Sequence, residues 1–181
     1  VTDPATLLRS LRQPVIGAIN GPAVTGGLEI SLSCDILLAT PNTKFADTHA
    51  RVGLVAGWGL SQRLSRVIGI YRAKEMSLTG NFMSAQQAYE WGLVNHVVPQ
   101  GELMSTAVSI AEDILSCVPE SMLAYKRMID RGYDLSLGDA MMYEKEFNQV
   151  HSIPPPETVA GRRSDIQIRG REQARRDENG V

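Results

Sequence analysis

Residues 14–35, Pro-Val-Ile-Gly-Ala-Ile-Asn-Gly-Pro-Ala-Val-Thr-Gly-Gly-Leu-Glu-Ile-Ser-Leu-Ser-Cys-Asp, constrain the fold more than any other stretch, because they read as strand, glycine-lined turn and helix start. Val15 to Ile19 is a short apolar, β-branched run suited to a buried strand, and Asn20-Gly21-Pro22 ends it. Gly26 and Gly27 then lead into an apolar stretch in which Leu28 and Leu32, with Ile30 less regularly placed, fit one buried helix side. A helix starting near Gly26 has backbone N–H groups without internal partners and the positive end of its dipole at that place. With no side chain at Gly26 or Gly27, a ligand oxygen gaining negative charge could come close to them. Glu29, one turn in, would hold a water or a proton beside that oxygen. The same residues also suit plain close packing of helix on strand, with Glu29 a solvated first-turn acid, and the local pattern alone leaves both readings open.

The rest of the chain repeats this alternation. Asp3-Pro4 predicts a capped helix with an apolar stripe at Leu7, Leu8 and Leu11, ending at Gln13-Pro14. Ile36 to Thr40 predicts a second buried strand, and Lys44 to Ala46 a third. Asp47 to Leu60, with Gly53, Gly57 and Gly59, reads as a loop entering a helix near Trp58 whose buried side carries Leu60, Leu64, Val67 and Ile68; Gly69 closes it. Tyr71–Leu78 and Ser84–Gly92 predict further helices, and Leu93 to Pro99 returns as a strand. From Gly101 the pattern is helical: Leu103, Ala107, Ile110, Ala111, Ile114 and Leu115 at helical spacing, then Pro119 to Ile129, then Leu137 to Val150. Pro154-Pro155-Pro156 breaks this run, and the arginine-rich remainder suits either a terminal helix or a partly disordered tail.

Composition narrows the function classes. A chain of 181 residues carrying 18 basic and 20 acidic side chains has no charge signature of a nucleic-acid or membrane-surface protein. Two cysteines, Cys34 and Cys117, form no disulfide framework and point to a reducing compartment such as the cytoplasm. No apolar run approaches the roughly 20 residues needed to span a bilayer, the N-terminal stretch is too polar for a signal peptide, and no metal-ligand spacing such as His-Glu-x-x-His occurs.

Residues 14–36, together with Lys-Phe-Ala-Asp-Thr-His-Ala-Arg-Val-Gly-Leu (44–54) and Gly-Leu-Ser-Gln-Arg-Leu-Ser-Arg-Val-Ile-Gly (59–69), resemble the enoyl-CoA hydratase/isomerase (crotonase) superfamily. Leu-Thr-Gly at 78–80, Ser-Ala-Gln-Gln-Ala at 84–88 and Trp-Gly-Leu-Val-Asn-His-Val-Val at 91–98 continue the match in order. The resemblance implies an α/β fold: a crotonase-like spiral of β-β-α turns, with residues 1–100 as the later portion of the core and 101–181 as a helical trimerisation region with a basic tail. It implies an acyl-CoA substrate and a homotrimer or a hexamer made of paired trimers. No cofactor is expected, since coenzyme A is part of the substrate, and no metal, nucleic-acid or membrane partner. The family's N-terminal half, with the strand giving a second oxyanion N–H, has no match here. A mitochondrial location would follow if a targeting segment preceded Val1.

Residue by residue, Gly26 matches the glycine that supplies one oxyanion N–H, Glu29 the first of two catalytic glutamates, and Gly57 a loop glycine near the catalytic water. Thr25 and Asp47 join Gly26 and Gly57 as candidate oxyanion or substrate-binding residues. The second glutamate's place is taken by His49, which either lines the pocket as an acid/base group or hydrogen-bonds backbone as a structural histidine. Asp47, two residues earlier, either faces the same way and orients His49 or is a surface acid. Arg169 and Arg171 fall where relatives present basic residues to CoA phosphates, against the alternative of a solvated tail. Trp58 reads as packing. The expected activity is hydration of a 2-enoyl-CoA, with isomerisation of the double bond, or acyl-CoA binding without chemistry, as alternatives.

Overall fold

In the computed structural model, which describes residues 2–151 and 153–178, Asp3 opens helix α1 (Pro4–Ser10) by accepting the Thr6 N–H at 2.8 Å. Only Ala5 of this helix is fully buried; of the predicted apolar stripe Leu8 is half-buried, while Leu7 and Leu11 are exposed among the described residues. Strand β1 (Ile16–Ile19) follows, half-buried along its length rather than fully buried as its composition suggests. A second strand, β2 (Ala23–Val24), lies inside what the sequence presents as turn, and α2 (Gly26–Ser31) starts at the predicted glycine. Leu28 and Leu32 are buried as expected, whereas Ile30 is exposed and Cys34 lies beyond the helix end.

The same unit then repeats. Strands β3 (Ile36–Ala39) and β4 (Lys44–Ala46) are followed by a 3-10 turn (Ala50–Val52), then by α3 (Leu60–Ile68) and α4 (Ile70–Thr79). Strand β5 (Met83–Ser84), α5 (Ala85–Glu90) and β6 (His96–Val97) complete the strand-bearing part. First strands and second strands go to different sheets: β1-β3-β6 is wholly parallel, while β2-β4-β5 pairs β2 with β4 in parallel and β4 with β5 antiparallel. A parallel neighbour requires a crossover, and α2 sits in the one between β1 and β3. The strand predicted over 93–99 keeps only two residues, because Leu93 and Val94 turn into the core instead.

The main core gathers Leu28 and Leu32 of α2, Leu60, Leu64 and Ile68 of α3, Phe45 of β4, and Met76 and Met83, all nearly or wholly buried. Val67 is exposed, which narrows the buried side of α3 to the three residues spaced four apart. A second, smaller core forms where α6 (Leu103–Leu115) lays Leu103 and Ala107 on Leu38, with Ile16, Ala18, Val98 and Ile110 around them. Leu115, expected on the buried side, is exposed. Asp35 ties the start of β1 to α7 (Pro119–Tyr133): its Oδ2 accepts the Val15 N–H at 2.7 Å and its Oδ1 meets the Lys126 ammonium. Burial alone would lower the lysine's pKa; the hydrogen bond and charge of Asp35, with Asp130, more than offset it and hold the ammonium above its usual range.

The described residues divide into two compact units between Asp130 and Arg131, so α6 and all but the last residues of α7 belong with the sheets rather than with the terminal helices. In the second unit, Ser136 caps α8 (Leu137–Val150), where the Tyr143 ring is tilted against Phe147 and Phe147 stacks on His151 just past the helix end, and α9 (Pro156–Glu178) makes the arginine-rich segment helical. The last three residues of that segment lie outside the described residues.

The turn from β2 into α2 carries a backbone constraint. Thr25 has φ 50° and ψ −114°, the sole non-glycine residue with positive φ among the described residues. Its N–H donates to the Ala46 carbonyl at 3.0 Å and its hydroxyl to the Val24 carbonyl at 2.7 Å. Such a conformation costs a β-branched residue about 1–3 kcal/mol, and the pairing of β2 with β4 imposes it.

Two substitutions check this account. Leu64→Ala, at a site with no exposure, is expected to lower unfolding free energy by about 2–5 kcal/mol, read from urea denaturation. Thr25→Gly is expected to leave stability unchanged or raised by up to about 1 kcal/mol, strain relief offsetting the entropy cost of glycine. A loss greater than that would mean that the threonine side chain holds the turn.

Candidate active site

Glu29 is not a solvated acid. Placed on α2 one turn after Gly26, it is 3% exposed, and an unpaired carboxylate at that depth would cost several kcal/mol. Its Oε1 accepts the Trp58 N–H at 2.7 Å and the Leu60 N–H, more weakly, at 3.4 Å. These amides stand at the start of α3, capped by Gly59, so the carboxylate also faces the positive end of that helix dipole. Charge-assisted bonds to backbone N–H groups are among the stronger hydrogen bonds a protein makes. The glycine-rich loop is thus folded around a carboxylate.

The other oxygen, Oε2, faces His49 Nε2 at 3.8 Å, beyond a direct hydrogen bond. On its opposite side the imidazole is fixed: Nδ1 lies 2.7 Å from Asp47 Oδ1, which also accepts the His49 backbone N–H at 3.2 Å. Asp47 is 5% exposed, so it is not a surface acid. It lies between the end of β4 and the 3-10 turn, for which His49 is the N-cap residue. Carboxylate, imidazole and carboxylate therefore lie in series, all largely out of solvent.

Gly26 opens α2, and its N–H has no acceptor among the described residues. A Cβ on Gly26 would sit 3.2 Å from the Trp58 ring, so the indole lies against the side of this residue that a side chain would occupy; Gly27 has open space there. A side chain at 26 would therefore need the indole to shift by a few tenths of an ångström. Gly57 is exposed, and the peptide it forms with Trp58 delivers the N–H that holds Glu29. Arg9 of α1 supports the same loop from behind, donating to the Trp58 carbonyl at 3.4 Å.

The structure thus brings together Gly26, Glu29, Asp47 and His49, with Thr25 and Gly57 in the adjoining turns. It adds Trp58 and Leu60, whose contribution is made by backbone amides and so left no mark in residue type. The pattern Gly57-x-Gly59 just before a helix was the available signal for a tight amide-bearing turn. Arg169 and Arg171 lie on α9 in the second unit, half-buried and exposed respectively. Among the described residues, no cluster of His, Cys, Asp and Glu could hold a metal ion.

Comparison with known proteins places the chain in a family. A family model described as enoyl-CoA hydratase/isomerase matches residues 1–153. The probable enoyl-CoA hydratase 1, peroxisomal, of Arabidopsis thaliana is 49% identical over 145 residues, 80% of this chain and 55% of that protein. The short-chain-enoyl-CoA hydratase of Clostridium acetobutylicum is 41% identical over 77% of this chain and 53% of its own length. The crystal structure of an enoyl-CoA hydratase from Bacillus anthracis superposes with a TM-score of 0.81 at 36% identity, over 90% of this chain and 63% of that one. The chain spans about half the length of the curated relatives it matches. From its motifs, its mixed α/β fold and these likenesses together, the chain belongs to the enoyl-CoA hydratase/isomerase family.

Proposed function

We propose that the protein carrying this chain is an enoyl-CoA hydratase, adding water to the double bond of a 2-enoyl-CoA thioester in fatty-acid or related acyl-CoA metabolism. One observation carries the reading: a buried carboxylate, Glu29, is held by the amide of Trp58 with its free oxygen facing His49. Hydration needs a group that orients and deprotonates water at C3, a proton for C2, and stabilisation of the enolate oxygen between these events. Glu29 Oε2 and His49 Nε2 supply the first two. Water oxygen bonds to C3 as its proton passes to this pair, one proton passes from the pair to C2, and the pair returns to its starting state. The Gly26 N–H supplies one of the two oxyanion donors, with the second contributed from outside these residues.

The alternation of strands between two sheets supports a spiral of β-β-α turns. We place residues beyond about 100 in the contacts of a homotrimer or of paired trimers, and Arg169 and Arg171 at the CoA phosphates. No described helix is long and apolar enough to cross a membrane; the two free cysteines favour a reducing compartment, the cytoplasm on this reading. The Arabidopsis relative is named as peroxisomal.

The test is Glu29→Gln in the intact protein with a short trans-2-enoyl-CoA, following loss of the enoyl-thioester absorbance. Turnover is expected to fall by about 10²–10⁴-fold; unchanged turnover removes Glu29 from the reaction. Product analysis with a 3-enoyl-CoA checks the reaction type, since an isomerase forms the 2-enoyl product without a 3-hydroxyacyl one. Measurable acyl-CoA binding with no turnover of any enoyl substrate would instead identify a binding protein.

A further inference from the structure

We infer that Asp47 is a positioning residue that fixes His49 in the Nδ1–H tautomer, so that the Asp47–His49 pair, and not His49 alone, forms the partner of Glu29. The inference rests on the reading of Glu29 and His49 as the water-handling pair. Both contacts from His49 to Asp47 converge on one oxygen, Oδ1: the ring nitrogen Nδ1 at 2.7 Å and the backbone N–H at 3.2 Å. An ionised carboxylate only accepts hydrogen bonds, so Nδ1 carries the hydrogen, and in a neutral imidazole Nε2 is then a bare lone pair. That lone pair faces Glu29 Oε2 across 3.8 Å. Two acceptors at that separation do not bond to each other, but a water donating one O–H to each would leave its oxygen free for a third atom.

The alternative tautomer would close this arrangement. With hydrogen on Nε2, the imidazole would donate to Glu29 Oε2, draw the two groups into direct contact and occupy the oxygen that water requires. Nothing on the Glu29 side prevents this, because the amides of Trp58 and Leu60 engage Oε1 and leave Oε2 available. Asp47 excludes it by holding the proton on the far nitrogen. A histidine in this place needs a carboxylate behind it to act as an acceptor, and Asp47, two residues away and buried at the end of β4, meets that need.

The experiment reads the tautomer directly. Two-bond ¹H–¹⁵N correlation spectra of the intact protein, with His49 assigned among the 3 histidines by the loss of its signals in His49→Gln, are expected to show His49 with its hydrogen on Nδ1. In Asp47→Ala the hydrogen is expected on Nε2, and kcat for 2-enoyl-CoA hydration should fall by about 10- to 100-fold with KM changed by less than about threefold. An Nε2–H tautomer in the unsubstituted protein overturns the inference without recourse to any variant. So does an Nδ1–H tautomer that persists in a folded Asp47→Ala protein. Failure here is separable from failure of the proposed function: loss of turnover in Glu29→Gln with an unaltered tautomer in Asp47→Ala removes only the role of Asp47. Unchanged turnover in Glu29→Gln with a tautomer that follows Asp47 removes the hydratase reading and leaves the hydrogen-bond assignment standing.

Discussion

A single buried carboxylate organises the strand-bearing unit. Glu29 is almost wholly removed from solvent, and its burial is made tolerable by backbone N–H groups at the start of α3 that converge on one of its oxygens. The dependence runs in both directions. Without the carboxylate, the loop from Gly57 to Gly59 loses the acceptor that sets its path; without the loop, the carboxylate is an uncompensated charge in the core. The two oxygens of Glu29 have different surroundings: Oε1 accepts backbone N–H groups, and Oε2 faces His49.

The scaffold supplies the precision that this arrangement needs. Glu29 rides on a helix whose first turn is anchored by Thr25, bent into an unfavourable conformation by the pairing of β2 and β4. Asp47 leaves the end of β4, the central strand of the same sheet. Glu29 and Asp47 therefore come from elements one strand apart, and each group is held by backbone rather than by long side chains. Arg9 steadies the third contributor, the tryptophan loop, from α1.

Sequence legibility followed the physics of each element. β1, α2, β3, β4 and α3 were readable because their apolar residues recur at strand or helix spacing and glycine, proline or asparagine bounds them. β2 and β5, of two residues each, carry no periodicity; they exist through ladders to β4, a nonlocal cause that no local pattern records. Leu7, Val67 and Leu115 mark the opposite failure, apolar residues left exposed among the described residues. Among the site residues, Glu29 and Gly26 were legible from the turn chemistry and the resemblance. The burial of Asp47 against His49 was one of two open readings, since spacing of two residues permits the contact without requiring it. Trp58 was read as packing, and its ring does pack; its other contribution comes from an amide that every non-proline residue possesses.

That division within Trp58 has an evolutionary corollary. The amide that steadies Glu29 would survive replacement of the residue by almost any other, whereas the indole laid against Gly26 is peculiar to tryptophan. An inherited substitution at this position would therefore reshape the space beside Gly26 while the backbone N–H stayed on Glu29. Two separate constraints, the fit against Gly26 and the hold on Glu29, thus meet in a single residue.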